Sequence, residues 1–87
     1  MPELRLTRRA KQDLLELPAA VREAVLESLA LIERDPETAG TRLLGRMKGL
    51  WSARVGNYRV LYTLERSGVI VRAIRHRAIA YQPRKPQ

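Results

Sequence analysis

The sequence predicts an α+β fold in which a short N-terminal strand and a two-helix antiparallel hairpin precede a three-stranded antiparallel sheet. Three observations predict it. Apolar side chains recur at helical spacing from Ala10 to Ile32, and Pro18 divides the run in two. Beyond Trp51 the pattern changes to the alternation of strands, punctuated by turn residues. Between Val55 and Tyr58 lies Gly56-Asn57, a dipeptide suited to a two-residue hairpin turn because both residues tolerate positive φ.

Taken in order, Glu3 to Leu6 alternates polar and apolar residues, as a half-buried strand does. Thr7 is placed to cap the next helix, its hydroxyl accepting from a free amide of the first turn. Ala10, Leu14 and Leu17 form the apolar stripe of that helix. Pro18 ends it and suits the opening turn of a second helix. There Val21, Val25, Ser28, Leu29 and Ile32 make one stripe, widened by Leu26 and Ala30, and Asp35-Pro36 stops it. Pro36 to Gly49 reads as a connector broken by Gly40, Gly45 and Gly49, with Leu43-Leu44 as its anchor to the core.

The hairpin turn fixes a register in which Val55 faces Tyr58, Arg54 faces Arg59, Ala53 faces Val60, Ser52 faces Leu61 and Trp51 faces Tyr62. Trp51, Ala53, Val55, Tyr58, Val60 and Tyr62 then share an apolar face for the helices to cover. A second two-residue turn at Ser67-Gly68 sets Leu64 opposite Val71, Tyr62 opposite Ala73, Leu61 opposite Ile74 and Arg59 opposite His76. The open face of the sheet is expected to carry Arg54, Arg59, Leu61, Ile74 and His76, with Arg72 further out beside Thr63. Residues 1–87 form one domain in this reading, with 82–87 as a frayed or extended tail.

Composition bounds the chemistry. The absence of cysteine excludes disulfides, zinc–thiolate sites and thiol nucleophiles, and a single histidine argues against a protein-only metal site. No cofactor is implied. No apolar run approaches membrane-spanning length and the first residues lack the apolar core of a signal peptide, so a cytoplasmic, membrane-free protein is expected. The net charge of +8 is unevenly spread. Residues 1–39 carry six Lys/Arg and eight Asp/Glu, a net of −2, whereas residues 40–87 carry eleven Lys/Arg and only Glu65, a net of +10. Charge confined to one half points to a polyanionic partner, nucleic acid first and an acidic protein segment second.

The arginines give that partner a place. Arg54 facing Arg59 is a like-charge pair that opposes strand pairing unless an anion lies between. Arg42, Arg46 and Lys48 on the connector lead into the same face. Trp51, Tyr58 and Tyr62 share the apolar face and read as core rather than base-stacking residues.

The segments Leu44-Gly45, Leu50-Trp51, Arg54-Val55-Gly56-Asn57-Tyr58-Arg59-Val60-Leu61-Tyr62 and the ending His76-Arg77 followed by Tyr81 resemble the RelE/ParE superfamily, the toxins of type II toxin–antitoxin modules. In the RelE branch, the resemblance implies metal-independent cleavage of mRNA in the ribosomal A site. The 2′-hydroxyl attacks the adjacent phosphate, leaving a 2′,3′-cyclic phosphate and a free 5′-hydroxyl. It also implies catalytic roles for Arg59, Arg77 and Tyr81. Arg54, with Lys48 and Arg46 on the connector and Arg72 and His76 on the open face, is read as contributing to phosphate or RNA binding, and His76 also as a candidate acid. Arg54 matches one of the family's two cationic strand positions; Ser52 falls on the other, where the ribosome-dependent nucleases often have lysine, and so departs from the pattern. Tyr81 is open to three roles, as base, stacking platform or core-edge aromatic. A ParE-like inhibitor of DNA gyrase is the alternative on the same scaffold, and a plain basic nucleic-acid-binding domain is a third reading. The implied partners are a cognate antitoxin with an acidic contact segment, the ribosome and mRNA.

Overall fold

The computed structural model describes residues 3–45 and 49–77. Its strands are β1 (Glu3–Leu6), β2 (Thr41–Arg42), β3 (Trp51–Val55), β4 (Tyr58–Glu65) and β5 (Gly68–His76), and its helices α1 (Arg8–Leu15), α2 (Ala19–Arg34) and α3 (Pro36–Ala39). The strands form one sheet in the order β1-β5-β4-β3-β2, with β1 parallel to β5 and every other pair antiparallel. The fold class is as expected, but the sheet has five strands rather than three with a separate N-terminal one. Residues 36–49 are also more than a connector. They hold α3, with Pro36 at its start, and the edge strand β2.

The helices follow their sequence signals. Thr7 caps α1, its hydroxyl oxygen accepting from the Ala10 amide at 3.1 Å. Arg22 clasps the end of α1, its guanidinium donating to the carbonyls of Leu14, Leu15 and Leu17 and so satisfying groups the helix leaves unpaired. Ala10, Leu17, Val25, Leu29 and Ile32 meet Ala53, Val60, Tyr62, Val69, Val71 and Ile74 in a single core. Each fully buried valine or isoleucine there contributes about 1.5–3 kcal/mol. Two expectations are corrected. Leu26 and Ala30 do not widen the α2 stripe but face solvent, and Leu44 is 79% exposed, leaving Leu43 as the half-buried member of its pair.

Tyr62 is fully buried, and its hydroxyl donates to the Pro36 carbonyl at 2.6 Å, fastening α3 to the sheet. Gly40 lies so close that an added Cβ would overlap the Tyr62 hydroxyl. Burial pushes the Tyr62 phenol up to about 12. The unfolded chain ionises this group near 10, so its contribution to stability is present below that value and is lost as pH rises from about 10 to 12. The melting temperature should therefore fall through that window, and Tyr62→Phe should show a shallower fall there.

The β3–β4 register is the one the hairpin turn predicts, from Trp51 opposite Tyr62 to Val55 opposite Tyr58. Only Gly56 takes a positive φ, of 59°, so the turn follows the single-positive pattern of type II′ rather than using both residues. The β4–β5 register is not the expected one. The connecting residues are Arg66-Ser67, one earlier than predicted, so Gly68 opens β5 opposite Glu65. Pairing then runs through Tyr62 opposite Val71, skips Arg72, and resumes with Leu61 opposite Ala73. Arg72 is thus the extra residue of a β-bulge.

The bulge is held from α1. The Thr7 hydroxyl donates to the Arg72 carbonyl at 3.1 Å, and a carboxylate oxygen of Asp13 accepts from the Ile74 amide at 3.0 Å. The other Asp13 oxygen takes the Arg9 guanidinium at 3.3 Å. A bulge disrupts the ladder locally, and these side chains supply hydrogen bonds at the break. Asp13→Ala strands a largely buried amide and should destabilise the protein by about 1–3 kcal/mol, whereas Asp13→Asn, which keeps an acceptor, should lose less. Chemical denaturation of the two variants distinguishes these outcomes.

Candidate active site

The bulge decides what the open face of the sheet displays. Beyond it, Ile74 falls opposite Val60 and His76 opposite Tyr58, while Arg75 falls opposite Arg59. Ile74 is therefore core rather than open face. The His76 ring stands edge-on to Tyr58 with centroids 5.2 Å apart, on the strand face opposite to the arginines. The expectation that His76 faces Arg59 is corrected accordingly, and Arg75 takes that position.

Arg54, Arg59 and Arg75 thus form one row across three adjacent strands. Directly opposed side chains in such a ladder have Cβ atoms about 4.5–5.5 Å apart, so three arginine side chains leave the sheet side by side on one face. Arg59 is central and half-buried, Arg75 is half-buried and Arg54 is exposed. The Arg54 Nε donates to the Gly56 carbonyl at 3.5 Å, which holds its stem toward the turn. Among the described residues no carboxylate pairs with Arg54 or Arg75. Arginine keeps its charge at any physiological pH and presents a planar fork, so a row of this kind has the charge and donor geometry that a phosphate requires.

The neighbouring row on the same face is Thr41, Ser52, Leu61 and Ala73. Ser52 and Leu61 are 6% and 7% exposed. Arg72 points beside Thr63, as expected, donating to its hydroxyl at 3.1 Å. It also pairs with Glu65 at 3.4 Å, which neutralises it and sets it apart from the arginine row. Arg77 follows the strand end, exposed, its amide donating to the Asn57 carbonyl at 2.6 Å. Arg46, Lys48 and Tyr81 lie outside the described residues, as does the 82–87 tail. Among the described residues no cluster of His, Asp or Glu could hold a metal ion.

Sequence reasoning missed Arg75, although a signal was present. In an unbroken β5 it would fall on the face that the helices cover, where an unpaired guanidinium is strongly disfavoured. That conflict is what a bulge resolves.

Residues 4–81 match the family model for the ParE toxin of type II toxin–antitoxin systems, parDE. The chain belongs to the RelE/ParE superfamily of type II toxins. This toxin is 35% identical over 82 residues to Toxin RelG of Mycobacterium tuberculosis, a match covering 91% of this chain and 94% of that protein. Its fold matches a chain in the crystal structure of the RelBE2 toxin–antitoxin complex from Mycobacterium tuberculosis with a TM-score of 0.80, at 33% identity over 88% of this toxin and 100% of that chain. A chain of the archaeal RelE–RelB complex from Pyrococcus horikoshii OT3 matches with a TM-score of 0.73 and 25% identity, covering 91% of this toxin and 98% of that chain. No helix among the described residues is long and apolar enough to cross a membrane.

Proposed function

We propose that this toxin is a metal-independent, ribosome-dependent mRNA endoribonuclease that inhibits translation. The observation that carries the reading is the row Arg54, Arg59 and Arg75, three cations across one open sheet face. In the proposed reaction the 2′-oxygen of the RNA forms a bond to its neighbouring phosphorus as the P–O5′ bond breaks. A base takes the 2′-hydroxyl proton, and an acid returns one to the departing 5′-oxygen. The negative charge that builds on the phosphorane is what the arginine row would stabilise. The permanently charged arginines are poor proton carriers, which leaves acid–base work to another group. Tyr81 is the proposed one, with Arg77 near it in sequence as a further cation. Arg46 and Lys48 are proposed to extend the RNA-binding surface. With no strongly tuned acid–base pair in the row, the ribosome is required to position the 2′-hydroxyl for in-line attack, so naked RNA is a poor substrate.

A second reading, favoured by the match of residues 4–81 to the ParE toxin family model, is a ParE-like toxin that inhibits DNA gyrase and has no RNase activity. Purified translation separates the two: mRNA ends are mapped with and without the toxin, and gyrase supercoiling is assayed on the same preparation. New mRNA ends at ribosome-occupied codons with supercoiling unaffected support the nuclease. Blocked supercoiling with intact mRNA supports the inhibitor.

A cognate antitoxin is the proposed protein partner, since the family model and two of the matched structures are of toxin–antitoxin systems. The +10 charge of residues 40–87 calls for an acidic contact segment. Its affinity should fall as salt rises, and a dissociation constant flat from low to high ionic strength would contradict that charge pairing.

A further inference from the structure

A cleft of about 400 Å³ opens beside the arginine row, lined by Thr38, Gly40, Thr41, Leu43 and Ser52 with Arg54 and Arg59 at one side. Its volume falls in the range of small-ligand sites. Its walls carry hydroxyls at Thr38, Thr41 and Ser52, an apolar surface at Leu43, and no acid. Thr41 also belongs to β2, the terminal strand of the sheet, whose outer edge presents backbone donors and acceptors that no neighbouring strand among the described residues takes. Hydroxyls and edge amides can match the heteroatoms of a base, and Leu43 offers a flat-packing wall. The Thr41–Ser52 row lies two residues along the strands from the arginines, about 6.6 Å at the usual rise per residue. A second cleft, of about 460 Å³, lies between α3 and the β4–β5 turn, but its lining holds two acids, Glu37 and Glu65, against one cation, Arg66, and it lies away from the arginine row.

We infer that the cleft between α3, β2 and the arginine row is a base subsite, which receives the nucleobase of the nucleotide whose phosphate lies on Arg54 and Arg59. The inference rests on the nuclease reading and adds to it a source of sequence preference. Thr38 and Thr41 are the specificity-determining residues in this account, since both are exposed and neither is in the arginine row.

The test titrates the full chain with the four nucleoside 3′-monophosphates and with inorganic phosphate, following amide shifts by NMR. At least one nucleotide should bind about tenfold or more tightly than phosphate, as expected from contacts to one base, and shift Thr38, Thr41 and Leu43 amides. Thr38→Trp, which fills the cleft, should bring that nucleotide down to the level of phosphate while phosphate binding persists. Thr41→Val, which keeps the shape and removes the hydroxyl, should change the ranking of the four bases and redistribute cleavage among codons on the ribosome. Nucleotides that bind no better than phosphate, or variants that retain the original ranking, overturn the subsite. If mRNA is cleaved and nucleotides show no such preference, the subsite falls alone. If a nucleotide occupies the cleft and no mRNA is cleaved, the subsite stands and the nuclease reading falls.

Discussion

Replacing Arg59 by alanine is expected to lower ribosome-dependent mRNA cleavage by about 10²–10³-fold, the usual loss when one donor aimed at transition-state charge is removed. Arg59 is the centre of the row, with Arg54 on one side and Arg75 on the other, so it contributes most to any phosphate held there. Stability should move little. Cross-strand pairs are worth roughly 0.2–1 kcal/mol, and the variant relieves two like-charge contacts while losing the packing of one half-buried arginine stem. Arg59→Lys should restore only part of the rate, because a point charge cannot replace the bidentate fork. Melting curves and single-turnover cleavage on the same preparations check this. A collapse of the melting temperature, or wild-type cleavage, would remove the arginine row from the mechanism.

Gly68→Ala is expected to produce the largest loss of stability of any single-methyl change in the chain. Gly68 has a φ of 146°, a conformation that side-chain-bearing residues rarely adopt. A Cβ there would also run into the backbone of Glu3, where β1 begins its parallel pairing with β5. Backbone strain of this kind costs of order 1–3 kcal/mol and forced overpacking a similar amount, so a total of about 3 kcal/mol or more is expected. For a domain of this size that lowers the melting temperature by roughly 12 °C or more. Gly45→Ala is the control. Gly45 also has a positive φ, of 69°, but nothing lies within 4 Å of the added carbon, so its loss should be clearly smaller.

The part of the fold that was legible in the sequence is the part set by short-range chemistry. Gly56-Asn57 fixed the β3–β4 register because a two-residue turn leaves no freedom in the pairing beside it. Thr7 and Pro18 marked helix boundaries through caps and a missing amide, both local effects. What escaped was non-local or too short to have a period. The bulge at Arg72 depends on Thr7 and Asp13, about sixty residues away along the chain, which no turn or alternation pattern encodes. The two-residue strand β2 and the four-residue α3 span only about one repeat of their patterns, too little to show a period. The candidate site divided in the same way. Arg54 and Arg59 were visible because the hairpin turn pairs them, whereas Arg75 was hidden behind the bulge.

The bulge also sets which residue of β5 is dispensable for the strand's facing. Arg72 is the one residue of β5 without an opposite number in β4, so it can be removed without turning any other side chain of the strand to the other face. Deleting a residue away from the bulge, with the bulge kept, would invert the strand on one side of the gap and expose core valines or bury an arginine. A variant of this chain lacking Arg72 should keep Arg75 opposite Arg59 and the core valines in place.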